Sequence, residues 1–347
     1  MKATKKVLGS LEKCYALTSY EYGDEKYVMI AAEKLDEIDV FTYEGEKVTS
    51  IYGGNGGVMT MQQDPGSDKL LATQKFFSPN NSAEAMIIYF TREGEKWTPH
   101  KLCDLPFVHR FGVMTDHGKK YLIACSLKSA HAFKDDWTCP GRVWVAELPE
   151  DLTTITDENP LKLTPLLSGL YKNHGFARLV EDGKEYALVG TENGIYRVDP
   201  PRSEEGEWTC ELLLETPTSD MLYMDFDGDG EKELLVLSPF HGDTVTIWKK
   251  DGETFRQVYE YPTKLPFIHA IWGKELNGVP YGFVGNRQEE MNLLAFYYDR
   301  EAGKYVVDEL DRGSGAANVM FYELNGEPKL LAANRETDEI AVYSLED

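Results

Sequence analysis

Apolar and polar residues alternate along most of this chain in short runs, and polar turns separate the runs. Pairs such as Asp182–Gly183, Asn277–Gly278 and Asn325–Gly326 sit between them, the pattern of strands joined by hairpins. The runs also repeat. Glu275–Arg287 (ELNGVPYGFVGNR) matches Glu323–Arg335 (ELNGEPKLLAANR) at an offset of 48 residues, from 323 − 275. Leu105–His109 (LPFVH) is echoed by Leu265–His269 (LPFIH). Sliding this unit along the chain recovers seven copies, whose second strands pass Tyr27, Leu70, Tyr121, Tyr186, Leu234, Tyr281 and Leu330 and end in small residues. A third strand follows each copy, and a fourth follows most.

Four strands per unit of roughly 40–50 residues predicts an all-β fold, a seven-bladed β-propeller, with residues 1–347 as one domain. The seventh copy stops at Asp347 after its third strand, and Lys5–Cys14 resembles the missing fourth. The N-terminal strand is therefore expected to complete the last blade and close the ring without leaving open edges. Two β-sandwiches fit the long-range repeat less well. Two excursions interrupt the pattern. Ser126–Arg142, between the second and third strands of blade 3, reads as a lid or as an ordinary surface insertion. Pro149–Leu170 reads as lying between blades 3 and 4.

Composition agrees with a soluble globular chain: 42% hydrophobic, 27% charged, and rich in Tyr and Gly, which suit strands and turns. The formal net charge of −23 repels phosphate backbones and anionic lipid heads, so neither nucleic acid nor membrane is expected as a partner. The beginning of the sequence has no apolar leader core, and no run approaches the ~18 apolar residues of a membrane span. The five cysteines are odd in number and widely spaced, without a C-x-x-C pair, so reduced thiols in a cytoplasmic protein are expected. Homo-oligomerisation is compatible with the sequence.

One turn stands apart. Asp225–Glu233 (DFDGDGEKE) places carboxylates at Asp225, Asp227, Asp229 and Glu233, with Gly228 and Gly230 allowing tight backbone turns. Alternate oxygen donors on a short loop suit a hard cation; a solvated acidic hairpin is the plain alternative. This D-x-D-G-D-G-x-x-E-L stretch resembles the FG-GAP or VCBS repeat of integrin α-subunit propellers and many bacterial propellers. The resemblance runs through the whole chain in register, but the specific motif occurs once. It implies a structural Ca²⁺ held by those four residues at the rim.

The repeat register yields a second group. Counting back twelve residues from Tyr121, Tyr186 and Tyr281 lands on His109, His174 and His269. Tyr15, Gly57, Met221 and Ala317 fill the same slot in the other copies. In a propeller this slot begins the innermost strand at one mouth of the axial channel. Three imidazoles there suit Zn²⁺, Mn²⁺ or Fe²⁺, or supply a general base; each could instead cap its own strand. On the same face, the second strands end at Glu192, Asn286, Arg287, Asn334 and Arg335, and the SPFHGD loop adds His241.

No P-loop, G-x-S-x-G elbow or H-E-x-x-H is present. Two functions fit. In the first, the sequence is similar to His-lined, metal-dependent bacterial propellers such as the aldos-2-ulose dehydratase propeller and oligogalacturonate lyase. That similarity implies β-elimination on a small carbohydrate-like substrate. The metal would sit on His109, His174 and His269, His241 would be acid or base, and Arg287 or Arg335 would hold the anionic oxygen. Asn286, Asn334 and Glu192 would contact substrate. In the second, the chain is a non-enzymatic binding module for protein or glycan with a structural calcium.

Overall fold

The computed structural model describes residues 1–156, 158–203 and 205–346. Its strands form seven four-stranded antiparallel sheets. The first strand of each sheet lies innermost: Cys14–Tyr22, Met61–Gln63, Val108–Asp116, Gly175–Glu181, Asp220–Met224, Ile268–Leu276 and Ala316–Leu324 for blades 1 to 7. Contacts between successive inner strands close the ring. This is the expected seven-bladed β-propeller.

Ring closure also follows expectation. Lys2–Ser10 pairs antiparallel with Glu339–Glu346, with Lys2 opposite Glu346 and Ser10 opposite Glu339, as the outer strand of blade 7. The Pro149–Leu170 excursion differs. Its end, Thr164–Leu170, is the outer strand of blade 3, so the irregular part lies inside that blade rather than between blades 3 and 4. The alternating pattern weakens in this exposed strand, which explains the misplacement.

Second strands are sandwiched between neighbouring sheets and therefore read as continuous apolar runs. Tyr186–Val189 and Leu234–Leu237 are buried throughout. These strands end in small residues because adjacent blades approach most closely near the axis. A Cβ on Gly285 would meet the Cβ of Ala316 in the next blade at 3.4 Å, and one on Gly190 would meet Met221 Sδ in the next blade at 3.1 Å. All five cysteines are free. Burial pushes Cys14 and Cys103 up to about 12, which keeps both as thiols at neutral pH. Among the described residues no helix is long and apolar enough to cross a membrane.

Candidate functional site

The slot identified from the repeat is a structural device. In blades 1, 3, 6 and 7 the pairing of the first two strands shifts at the slot residue: Tyr15, His109, His269 and Ala317 are each the extra residue of a β-bulge. A bulge re-aims a side chain and bends the strand, and here it occurs where the strand meets the axis. The repeated L-P-F-[VI]-H segment prepares two of these bulges. Phe107 and Phe267 have φ of 61° and 60°, a left-handed corner two residues before His109 and His269. In blade 5 the register slips. Ser219 N–H bonds Leu237 O just as His174 N–H bonds Gly190 O, so Ser219 rather than Met221 holds the slot. The longer acidic turn accounts for the slip.

The three slot histidines meet. His174 lies 4.5 Å from His109 and 5.2 Å from His269 between ring centroids, and all three are almost fully buried. His241 joins them from the SPFHGD loop, 5.4 Å from both His174 and His269. One ligand atom from each of His174, His241 and His269 falls within 4.8 Å of the other two, close enough to share an ion; His109 stands beside this trio. The sequence expectation of His109, His174 and His269 as the metal set thus changes by one member. The loop brings His241 inward, and its ring is clamped there between Phe240 at 4.0 Å and Phe267 at 4.1 Å.

Hydrogen bonds fix the ring orientations. His174 Nδ1 lies 3.1 Å from Ser219 O, and His269 Nδ1 lies 2.5 Å from Ala317 O. A carbonyl only accepts, so both Nδ1 atoms carry the proton and both Nε2 atoms present a lone pair, the one on His174 unpartnered and the one on His269 facing the Tyr15 hydroxyl. Carbonyl-oriented imidazoles of this kind recur around protein metals. His174 Nε2 is buried with no partner, and so is His109 Nδ1. The Tyr15 hydroxyl donates to His269 Nε2 at 2.8 Å and lies 3.4 Å from His109 Nε2.

The cluster is electrically neutral. Burial, reinforced by the Arg110 guanidinium, pushes His174 down to about 3. Burial, with the His174 imidazole and the Arg287 guanidinium close by, pushes His241 down to about 2. Burial likewise holds His109 and His269 well below the usual imidazole range. Neutral imidazoles are the metal-binding form. Arg110, which donates to Met59 O at 3.2 Å and Asn318 Oδ1 at 3.1 Å, was not singled out from the sequence. Asp220, one residue from the blade 5 slot of the sequence register, is a buried carboxyl lining the axial channel of about 1020 Å³ and pushed up by burial to about 7.

The other expected contacts are engaged within the protein. Arg287 binds Glu336 through two nitrogens at 2.8 and 2.6 Å and stacks 4.4 Å over Phe267. Arg335 pairs with Glu33 and, at 2.9 Å, with Glu336. Glu192 pairs with Lys172 at 2.6 Å. Asn286 donates to Pro266 O and Gln288 O and accepts from Asn292 N–H, which pins its own loop. Asn334 donates to the Tyr343 hydroxyl at 3.3 Å. The Ser126–Arg142 segment covers the cluster. Trp137 packs 5.1 Å from Phe240, and buried Lys128 sits 4.1 Å over the Trp137 ring while donating to Asp136 O at 2.8 Å.

At the blade 5 turn the four carboxylates also converge, within 4.8 Å of one another. Their centre, however, is taken. Lys249 Nζ contacts Asp227 at 2.5 Å, Asp229 at 2.7 Å and Glu233 at 2.9 Å. Asp225 instead folds back on the turn, accepting from the N–H groups of Gly228 and Gly230. These residues therefore do not fit a calcium ion while Lys249 stays in place. The sequence reading weighed only the carboxylates.

No family model and no curated protein matches this chain. Solved structures do. The β-propeller domain of Cps50 (Swd1) from Myceliophteria thermophila superposes with a TM-score of 0.62 at 12% identity, covering 99% of this chain and 100% of that one. Virginiamycin B lyase from Staphylococcus aureus gives 0.62 at 14% identity, covering 99% of each chain. A putative 6-phosphogluconolactonase from Bacteroides uniformis gives 0.56 at 15% identity, covering 95% of this chain and 91% of that one. At these identities the likeness shows the seven-bladed fold.

Proposed function

We propose that this chain is a metal-dependent lyase whose chemistry sits at the axial histidines. The observation that carries the reading is the convergence of His174, His241 and His269, neutral and in two cases oriented by backbone carbonyls. These three would hold a divalent Zn, Mn or Fe ion. When bound, the ion would act as a Lewis acid on a carbonyl or carboxylate oxygen and acidify the neighbouring C–H bond.

The protein's own groups divide the remaining work. His109, outside the trio and with Nδ1 unpartnered, is the group placed to take the proton from the carbon, and the negative charge developing on the substrate would offset the burial that keeps its imidazole neutral. The Tyr15 hydroxyl, between His109 and His269, delivers a proton to the leaving group, and Arg110 supplies positive charge near the developing anion. Arg287 and Arg335 reach substrate only by releasing Glu336 or Glu33. The lid over Phe240 excludes water and moves to admit the substrate. A carbohydrate-like substrate is favoured by the resemblance to sugar-acting propellers; that one structural neighbour is itself a lyase is consistent with the reaction class.

A second reading is a non-enzymatic module presenting a rigid face to a protein or glycan. The internal pairing of Arg287, Arg335 and Glu192 favours it. Metal analysis of protein purified without chelator separates the two. One transition-metal ion per chain, lost in His174→Ala together with turnover of sugar acids, supports the lyase. Metal-free protein, or full turnover in His174→Ala, overturns it.

A further inference from the structure

We infer that the blade 5 acidic turn carries its own cation: the Lys249 ammonium occupies the place of a calcium ion, and the turn is independent of calcium. This is separate from the axial site and stands whether or not the chain is a lyase.

The geometry is specific. Lys249 lies on Val245–Asp251, the third strand of blade 5, directly opposite Glu233 in the ladder. Cross-strand neighbours point to the same face, so the register delivers the ammonium to the mouth of the turn. An ammonium has three N–H donors and no more. Here three carboxylates surround it, one each from Asp227, Asp229 and Glu233. All three oxygens lie within 2.9 Å of Nζ, and the Asp227 contact is a hydrogen bond. A calcium ion would need six to eight oxygens in the space that Lys249 Nζ now fills, with two like charges in contact.

A second observation marks this as a built cation site rather than a solvated hairpin. Glu233 is fully buried; its Oε2 accepts from Phe226 N–H at 2.7 Å, and its Oε1 has no hydrogen-bond partner, only the ion pair with Lys249. A buried carboxylate aimed at one point requires a cation there. Beside it, the Arg300 guanidinium packs against Gly228, where an added Cβ would come within 2.2 Å of it. The turn therefore keeps the oxygen donors that the FG-GAP resemblance implies but supplies the positive charge from the chain.

The test uses the full chain, with Ca²⁺ and Tb³⁺ as probes. Tyr305, whose hydroxyl feels the Glu233 and Asp227 charges, is the sensitiser for Tb³⁺ luminescence. In the wild type, EGTA and millimolar Ca²⁺ are expected to leave the melting temperature unchanged, with no Tb³⁺ signal that Asp227→Asn removes. Lys249→Met is expected to melt lower in EGTA. Ca²⁺ should then raise its midpoint by about 3 °C, and Asp227→Asn should cancel that gain. Calcium binding by the wild type that is lost in Asp227→Asn overturns the inference. So does a folded Lys249→Met with no response to Ca²⁺. Should Lys249→Met fail to fold, the wild-type titration decides alone.

Discussion

Two groups of four side chains converge in this molecule, and they solve opposite problems. His109, His174, His241 and His269 are neutral donors drawn together by inner-strand starts and a loop, with His109 Nδ1 and His174 Nε2 unpartnered and the Arg110 guanidinium nearby. Asp225, Asp227, Asp229 and Glu233 are anionic donors on one hairpin, and Lys249 answers them from the next strand. Convergence alone does not make a metal site. What matters is whether the chain has already supplied the charge or the proton that the donors need.

The sharpest break between the two regions is metal content. Alanine at His174 or His269 is expected to weaken transition-metal binding at least about a hundredfold, read by metal analysis after dialysis, with blade 5 still indifferent to calcium. A metal that survives in both variants would place it elsewhere.

Next comes acid. In metal-free protein, His174 and His241 titrate at about 3 and about 2, below the ~6.5 of an unfolded chain. Their contribution to stability is full above pH ~6.5 and is lost as pH falls toward those values. Unfolding free energy should drop by several kcal/mol between pH 7 and pH 4, measured by urea titration. The double variant His174→Gln/His241→Gln should flatten that slope. An unchanged slope would mean that the rings are not held neutral.

Asp220 runs the other way. Its carboxyl is raised to about 7 against ~3.9 unfolded, so its contribution is present below ~3.9 and is lost as pH rises through about 7. Asp220→Asn is expected to gain about 2 kcal/mol at pH 8 and nothing near pH 4. Equal stability at both pH values would show that Arg110 already balances the charge. Smallest is Tyr15→Phe, which removes one buried hydrogen bond to His269 and should cost about 1 kcal/mol by the same urea titration.

Much of the architecture was legible. Seven copies of one hairpin pattern announced seven sheets, and the incomplete last copy announced a closing N-terminal strand, read as Lys5–Cys14 and found at Lys2–Ser10. The slot count found three of the four axial imidazoles because the start of the inner strand recurs at equal places in the repeat, as a bulge at His109 and His269 and without one at His174. His241 lay outside that count because it reaches the axis through a loop, not through the repeat. Arg287 and Arg335 looked available because their partners, Glu336 and Glu33, carry no pattern of their own.

The division has a physical cause. A repeat is a local property: alternation, turn residues and small strand ends act within some tens of residues, so the sequence determined the number of blades, the ring closure and the slots that face the axis. Which charge stands opposite which, and how far burial moves a proton, depend on register and on loops arriving from other blades. Only the folded ring decided that Lys249 faces Glu233, that the imidazoles are neutral, and that the arginines are already paired.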